Sequence, residues 1–119
     1  MIQNNFIPEL YRAIDAKDAN KLVSNITEDS IFRFANIPAV EGKENITAFL
    51  TGFFQSIKAI RHSDLEYWNA VDVWFVTGYV NYTRFDDSVL KVPFAVLLKM
   101  KADLIREFLI FVDNSELYK

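Results

Sequence analysis

The residue with the clearest potential for chemistry is Asp113, a lone carboxylate that ends the last apolar stretch of the chain, 104–112. A carboxylate held in an apolar pocket has its ionised form disfavoured, so we expect its pKa to rise. Such a group is a suitable general base when a substrate proton or a water molecule comes within hydrogen-bond reach. The alternative is a structural role, in which Asp113 accepts hydrogen bonds from the backbone N–H groups of Ser115 and Glu116.

Few other side chains are placed to share a pocket with Asp113. The expected set combines polar and aromatic residues, namely Tyr11, Arg33, Phe53, His62, Tyr79, Asn81, Phe94, Glu107 and Phe111. His62 is the only histidine, and its position between Arg61 and Ser63 leaves a structural or surface role open as the alternative to ligand binding. No serine has glycine on both sides at a strand end, so a nucleophilic triad is not indicated.

The spacing of apolar residues changes near residue 60. Before it, apolar residues recur every three or four positions, which is typical of helices, and after it they alternate, which is typical of strands. The pattern predicts helices that begin near Asn4 or Asn5, at Asp18 and near Lys43, a short strand at 31–34, and long strands at 61–69, 71–84, 89–101 and 104–112. Gly78 interrupts one long strand and predicts a bulge or a bend.

These elements predict an α+β fold, with the whole chain, 1–119, forming one domain. Short turns between consecutive long strands make neighbours antiparallel, and three amphipathic helices need one sheet face to cover. We therefore expect a strongly curved, cone-shaped, mainly antiparallel (mixed) sheet with three N-terminal helices on its concave face. A tapering, mostly apolar pocket should lie between the two layers. The alternative is two packed sheets decorated by the helices.

The longest predicted strand is apolar on both of its faces. Val73 and Phe75 belong to one face, whereas Trp74 and Val76 belong to the other. A sheet with one face in water should show one polar set, and helices can cover only one face. We therefore expect a homodimer in which the second face is covered by another copy of the sheet. A monomer with exposed aromatic side chains is the alternative.

Composition narrows the classes of function. The chain has no cysteine, one histidine and no ligand-like spacing of acidic residues, so we expect no disulfide, metal or cofactor. Lysine and arginine are scattered rather than clustered, and nucleic-acid binding is not expected. No apolar run approaches the length of a membrane span, and the N-terminus lacks a signal-like pattern. We therefore expect a soluble, cytoplasmic protein without a membrane partner.

Several short motifs, in a fixed order, resemble one known family. They are Glu28-Asp29-Ser30-Ile31, Val40-Glu41-Gly42-Lys43-Glu44-Asn45-Ile46, Val92-Pro93-Phe94, Ile105-Arg106-Glu107 and Phe111-Val112-Asp113. Their spacing resembles the SnoaL-like group of the nuclear transport factor 2-like superfamily, which includes polyketide cyclases, ketosteroid isomerases and limonene-epoxide hydrolases. The resemblance covers nearly the whole chain and implies the cone fold. It does not imply one activity, because this fold carries many reactions and some proteins that are not enzymes.

The functional residues of the family are matched to this sequence position by position. Segment 34–36, where ketosteroid isomerases carry their base, has no acid, and Ala95 stands where they carry a second one, so steroid-type isomerisation is not expected. Asp113 matches the functional aspartate at the end of the last strand in cyclases and epoxide hydrolases. The Arg-x-Asp pair of the hydrolases falls on Tyr79 and Asn81. The resemblance implies Asp113 as general base, Asn81 positioning water or a carbonyl, and Tyr79 donating a hydrogen bond to developing negative charge.

Two main function classes follow from this sequence. The first is an enzyme that removes a proton next to a carbonyl group or adds water. The second is a module that binds a small apolar molecule without reacting with it. A protein-interaction domain is a third, separate alternative. In both main classes the expected partner is a small apolar molecule and no cofactor takes part.

Overall fold

The computed structural model describes residues 5–118, which form three helices and one six-stranded sheet. The helices are α1 Phe6–Asp15, α2 Ala19–Val23 and α3 Lys43–Gln55, and the strands are β1 Ile26–Phe34, β2 Val40–Glu41, β3 Ala59–Ala70, β4 Val73–Thr83, β5 Val89–Lys101 and β6 Leu104–Val112. The strand order is β2-β1-β6-β5-β4-β3. Only the β1–β6 pair within this described sheet is parallel. The predicted α+β cone with a mixed sheet is confirmed.

The predicted boundaries are accurate in the second half of the chain and wrong in β1. Strands β5 and β6 occupy the predicted ranges, and α3 begins at Lys43 as expected. The first strand was predicted only at 31–34, but the polar segment 27–30 before it also lies within β1. The buried Ser30 hydroxyl there donates to the β6 carbonyls of Ile105 and Arg106, at 3.1 and 3.0 Å. A shift of register against β6 in this segment hides the alternation in the sequence.

The two N-terminal helices begin close to the predicted positions. Asn5 occupies the N-cap position of α1 but makes no side-chain cap, and Asn4 lies outside the described residues. The Asp18 carboxylate accepts a hydrogen bond from the backbone N–H of Lys21 at 3.0 Å, so the predicted cap of α2 is confirmed. A side-chain acceptor at this position satisfies one of the free N–H groups of the first turn.

The sheet bends where β3 bulges opposite Gly78. The register of β3 against β4 shifts between Ser63 and Glu66, and Asp64 has a φ of 53°. A Cβ atom at Gly78 would lie 2.8 Å from the Ser63 carbonyl oxygen. Gly78 itself pairs regularly with Phe94 of β5, so the bulge lies in β3 rather than in β4. Glycine permits this close approach of two backbones, and the bulge adds to the curvature of the sheet.

One hydrophobic core joins the helices to the concave face of the sheet. Alternate residues of β4, among them Trp74, Val76, Val80 and Tyr82, are buried beneath the helices. Aromatic rings contribute much of this core, and Phe32 packs between Phe34 and Phe108 with ring centroids 6.3 and 5.4 Å away. The core therefore lies between the helical layer and the sheet, where the cavity described below is also found.

Lys17 links α1 to the C-terminal end of α3. Its Nζ donates hydrogen bonds to the carbonyls of Phe54, Ile57 and Lys58 at 3.1–3.2 Å. A cation at a helix C-terminus is favourable, because the last carbonyls lack helical partners.

We expect Lys17→Met to lower the free energy of unfolding by about 2 kcal/mol, because hydrogen bonds from a charged donor are lost. Urea unfolding measures this change, and Lys21→Met, on the exposed side of α2, should alter stability by less than about 0.5 kcal/mol.

Candidate functional site

A small cavity lies between the helices and the concave face of the sheet. Its volume is about 50 Å³, and most of its lining is apolar. Four of the predicted ligand-contacting residues line it, namely Tyr11, Phe53, His62 and Phe94. A space of this size holds only a few water molecules, because one water needs roughly 10–15 Å³ measured in this way. The protein's own aromatic side chains therefore fill most of the predicted pocket.

An aspartate–histidine pair stands at the wall of this inner cavity. The His62 Nδ1 lies 2.6 Å from the Asp15 Oδ1, and the His62 backbone N–H donates to the same carboxylate at 3.1 Å. The His62 side chain is 8 % exposed, whereas that of Asp15 is 29 % exposed. A carboxylate on Nδ1 favours the tautomer with its proton there and leaves Nε2 able to accept a proton. Within residues 5–118, Nε2 has no hydrogen-bond partner.

Tyr11 lines the same cavity and carries a buried hydroxyl group. Its ring packs edge-on against His62, with centroids 4.7 Å apart, and lies 5.8 Å from the ring of Phe94. The Tyr11 hydroxyl is buried and has no hydrogen-bond partner among the described residues. Burial, and to a smaller extent the charge of Asp15, raise the pKa of Tyr11 well above its ordinary value. Tyr11 therefore stays neutral at neutral pH, and its hydroxyl keeps an unpaired donor, which is unfavourable for a buried polar group.

A larger outer cleft opens beside the inner cavity, between α3, the end of β1 and the C-terminal tail. Its volume is about 600 Å³. The side chains of Phe34, Phe49 and Phe53 line both spaces and separate one from the other. Phe34 and Phe53 meet edge-to-face with ring centroids 4.9 Å apart. A volume of several hundred Å³ is in the usual range for small-molecule sites, so the outer cleft is large enough to hold one.

The tail that forms one wall of the outer cleft is firmly held. Leu117 is buried, and the Arg84 guanidinium donates to the carbonyls of Leu117 and Glu116 at 2.9 and 2.8 Å. The hydroxyls of Ser56 and Tyr118 lie 2.7 Å apart and join the tail to α3. These contacts hold the tail against α3 and β4 and fix this wall of the cleft.

Asp113 lies at the rim of the outer cleft, and the expected rise of its pKa is wrong. Its carboxylate is exposed and accepts a hydrogen bond from the backbone N–H of Ser115 at 3.0 Å. Hydrogen bonds from the Ser115 backbone and side chain lower the pKa of Asp113 below its ordinary value. Hydrogen bonds to a charged carboxylate favour its ionised form. The local geometry is thus that of the alternative role, a carboxylate that caps the tail.

Tyr79 and Asn81 do not face either space, contrary to the expectation. They alternate along β4 with the buried Val80 and lie on the convex face of the sheet. The Tyr79 ring lies under the Lys91 ammonium, with the nitrogen 4.8 Å from the ring centroid. The Asn81 amide donates to the carbonyl of Arg61, its partner across the strands. Both strand faces are apolar at their centres, so the sequence did not show which set the helices cover.

Three other predicted contacts also lie away from the inner cavity and the outer cleft. Arg33 and Glu107 lie on the convex face of β1 and β6, and Phe111, 56 % exposed, lies on the same face of β6. Alternation explains this, because Phe32 and Val112, one residue away in each strand, are the side chains that point under the helices. The expectation that Arg33 and Phe111 line the pocket is therefore wrong.

The sequence analysis did not identify Asp15 as a functional residue. Asp15 ends α1 and stands 47 residues before His62, in a segment that the sequence marks only as a corner between helices. No local spacing links the two residues, because the contact depends on how α1 lies across β3. The one available signal was that the single histidine lies early in β3, close to where the sequence changes from helix to sheet.

Metal-binding clusters and membrane-spanning helices are not found in the described part of the chain. Across residues 5–118, no three histidine, aspartate or glutamate side chains come close enough together to hold a metal ion. No helix there has the length and apolar character that crossing a bilayer requires. The inner cavity and the outer cleft are the two candidate sites.

The chain was compared with known proteins. A SnoaL-like domain matches residues 7–108. No curated protein sequence matches. Similar solved structures include a protein described as a polyketide cyclase from Xanthomonas campestris, at 12 % identity, a TM-score of 0.85 and coverage of 93 % of this chain and 90 % of that one.

Two further structures of this fold contain small molecules. TerC, crystallised with polyporic acid, has 15 % identity and a TM-score of 0.80, with 94 % of this chain and 92 % of that one covered. A Catenulispora acidiphila protein with a ketosteroid isomerase-like fold, in complex with trimethylamine, has 15 % identity and a TM-score of 0.81, with coverage of 93 % and 86 %. At this identity the similarity shows the fold alone. The domain match extends over most of the chain, and the protein thus belongs to the SnoaL-like family.

Proposed function

We propose that this protein binds a small, mostly apolar molecule and performs acid–base chemistry on it, with His62 as the base. The observation that carries the proposal is the buried Tyr11 hydroxyl without a partner, next to an imidazole whose Nδ1 is held by Asp15. A free donor and a free acceptor in one apolar cavity suit a substrate that has an acidic C–H or O–H bond beside an oxygen atom.

The proposed reaction class is proton transfer next to a carbonyl group. The His62 Nε2 takes a proton from the carbon beside the carbonyl, and the electron pair of the C–H bond moves to the carbonyl oxygen. The Tyr11 hydroxyl donates a hydrogen bond to that oxygen as it becomes negative. The imidazolium then returns a proton to carbon, at the same or a different position. Asp15 does not touch the substrate and acts as a positioning residue that holds the ring and stabilises its positive charge.

A substrate would reach His62 through the outer cleft. The inner cavity of about 50 Å³ is smaller than any plausible substrate, whereas the outer cleft of about 600 Å³ meets it at the shared wall of phenylalanine side chains. Rotation of Phe49 or Phe53, both only partly buried, would join the two spaces. The small molecules held by two proteins of the same fold support binding in such a pocket.

A non-catalytic ligand-binding module is the second candidate function. The small inner volume favours it, because a molecule confined to the outer cleft would not reach His62. The two candidates differ in one observable. The enzyme accelerates the exchange of carbon-bound protons in a carbonyl compound, whereas the binding module only binds it.

Proton exchange of 2-tetralone in D2O, followed by proton NMR, tests the proposal without knowledge of the natural substrate. We expect the protein to accelerate the exchange of the protons beside the carbonyl by at least about 100-fold over buffer, the lower end for a positioned base. Failure to accelerate exchange with this compound and with other small apolar ketones would contradict the catalytic proposal. Saturable binding of those ketones without exchange would then favour the binding module.

The convex face of the sheet is the proposed interface with a second copy of the chain. A row of four apolar residues, paired side by side, crosses this face: Trp68, Phe75, Leu97 and Leu109. Trp68 is 53 % exposed and Phe75 is 44 % exposed. Exposed aromatic side chains in a contiguous patch are typical of interfaces, and a two-fold axis lets one such patch cover its copy. The homodimer therefore remains our prediction for this face.

Light scattering tests the dimer directly. We expect a mass twice that of one chain at micromolar concentration, and a monomer for Phe75→Asp, because a charge in the middle of the row would lose its hydration in the interface. Phe85→Asp, in the exposed turn after β4, is the matched control and should stay dimeric. A monomeric wild-type protein, or a dimer that tolerates Phe75→Asp, would contradict this interface.

A further inference from the structure

The outer cleft has its own recognition chemistry, distinct from that of His62. It lies at the mouth of the cone and is about twelve times larger than the inner cavity, at roughly 600 against 50 Å³. Most atoms of a bound molecule would therefore lie in the outer cleft rather than beside His62. The chemical character of the cleft should decide which molecules bind.

The floor of the cleft includes Gly52, in the interior of α3. Alanine is more favourable than glycine at such a position, because glycine loses more backbone freedom in a helix. A Cβ atom at Gly52 would meet no other atom within 4 Å, and the backbone of Gly52 does not have a positive φ. Neither packing nor backbone conformation requires glycine here. Its missing side chain leaves the helix surface open to a molecule in the cleft.

The polar side chains that line the cleft are Asn36, Ser56, Asp113, Asn114, Ser115 and Tyr118. Asp113 is the one acidic side chain in the lining, which contains no lysine and no arginine. One of its oxygens accepts from the Ser115 backbone N–H, and the Ser115 side chain also hydrogen-bonds to this carboxylate. Asn114 belongs to the lining as well, but its Oδ1 is buried away from the open space of the cleft. The nearby Arg84 donates to three groups of the tail and of its own turn, and it is not part of the lining.

Aromatic faces also line the cleft. Phe49 and Phe53 line the α3 side of the cleft, and Tyr118 lines the tail side. Aromatic faces attract cations and also pack well against apolar rings, whereas a carboxylate repels anions. A single ionised acid, the lack of basic side chains in the lining and the aromatic walls together match an organic cation that has N–H groups and an apolar body.

We propose that the outer cleft binds the ammonium end of a small aromatic or aliphatic amine, with its N–H groups donating to Asp113 and its apolar body against Phe49 and Phe53. This inference rests on the proposed entry of a small molecule through the same cleft. It assigns Asp113 to the recognition of charge rather than to proton abstraction. The lowered pKa of Asp113 supports this role, because the carboxylate stays ionised at neutral pH.

Three probes of one shape and different charge test the assignment: 1-naphthylmethylammonium, 1-naphthalenemethanol and 1-naphthoate, each titrated calorimetrically at low ionic strength. We expect the ammonium to bind at least about tenfold more tightly than the carboxylate, with the neutral alcohol between them. Asp113→Asn should reduce the difference to about twofold or less. Asp72→Asn removes the same charge from the turn at the far end of the sheet. This variant should leave the order of the three affinities and the difference between them unchanged.

Gly52 variants test where the probes bind. Gly52→Leu should weaken all three probes because the side chain projects into the cleft, and Gly52→Ala should weaken them less while raising the unfolding temperature. The alanine variant keeps the test valid if the leucine variant does not fold. The inference is overturned if no probe binds, if the carboxylate binds as tightly as the ammonium, if Asp113→Asn leaves the order intact, or if both Gly52 variants bind normally.

The two proposals fail separately in these experiments. Charge-selective binding without acceleration of proton exchange would contradict the base role of His62 and leave the ammonium site standing. Exchange catalysis together with the absence of charge selectivity would contradict the ammonium site alone. Both readouts use the full chain in solution.

Discussion

His62→Gln is expected to reduce the protein-catalysed exchange of 2-tetralone protons by about 100-fold or more, to near the rate in buffer. Glutamine keeps a polar group of similar size but cannot accept a proton at neutral pH. Binding of the ketone should weaken only slightly, because the aromatic walls around the ring are unchanged. The loss should therefore appear in the maximal rate rather than in the concentration for half-saturation.

Asp15→Asn separates positioning from base catalysis at the same site. The Asp15 carboxylate holds the His62 Nδ1 at 2.6 Å and accepts from the His62 backbone N–H. An amide keeps this geometry in part but presents N–H groups to Nδ1, which favours the wrong tautomer. We expect an intermediate loss of rate, with the altered tautomer visible in the 15N NMR shifts of the ring nitrogens. Asp72→Asn, at the exposed turn between β3 and β4, is the matched control and should keep the full rate.

The base assignment would be wrong if His62→Gln kept most of the exchange rate. A residual rate shared by the His62 and Asp15 variants and lost in Tyr11→Phe would instead point to the hydroxyl as the dominant group. Removal of the Tyr11 hydroxyl alone should lower the rate less than removal of the base, since the buried group donates one hydrogen bond to the substrate oxygen.

Phe108→Ala is expected to lower the free energy of unfolding by about 3–5 kcal/mol, the usual range for a buried phenylalanine. Phe108 is 1 % exposed, packs against Phe32 with ring centroids 5.4 Å apart, and lines the inner cavity. Small domains have a total stability of about 5–15 kcal/mol, so this loss is a large fraction of the total. Urea unfolding measures the change, and Phe85→Ala, in an exposed turn, should cost less than about 0.5 kcal/mol.

The Phe108 variant also tests whether the cavity limits access to His62. Removal of the ring adds space directly to the inner cavity, which is otherwise about 50 Å³. If the variant remains folded, we expect bulky ketones to exchange relatively faster than small ones when compared with the wild-type protein. A stability loss below about 1 kcal/mol would contradict the packing around Phe108 and would show that its neighbours collapse into the space.

Local periodicity was sufficient for most of the sheet and for the main helix. Strands β5 and β6 and the start of α3 lie where the sequence placed them, because alternation and helical spacing are short-range signals. The same signals failed at β1, where a register shift interrupts the alternation. They also failed to choose between the faces of β4, because residues on both faces are apolar and only the position of the helices distinguishes them.

The sequence by itself determined the class of fold, the order of its elements apart from the two-residue strand β2, and the presence of an acid at the end of the last strand. Only the tertiary structure decided which side chains meet. The Asp15–His62 contact joins residues 47 positions apart, the Asp113 carboxylate turns to its own backbone, and aromatic rings fill most of the cone. The physical reason is that secondary structure follows from neighbouring residues, whereas a site depends on long-range packing that brings distant segments to one place.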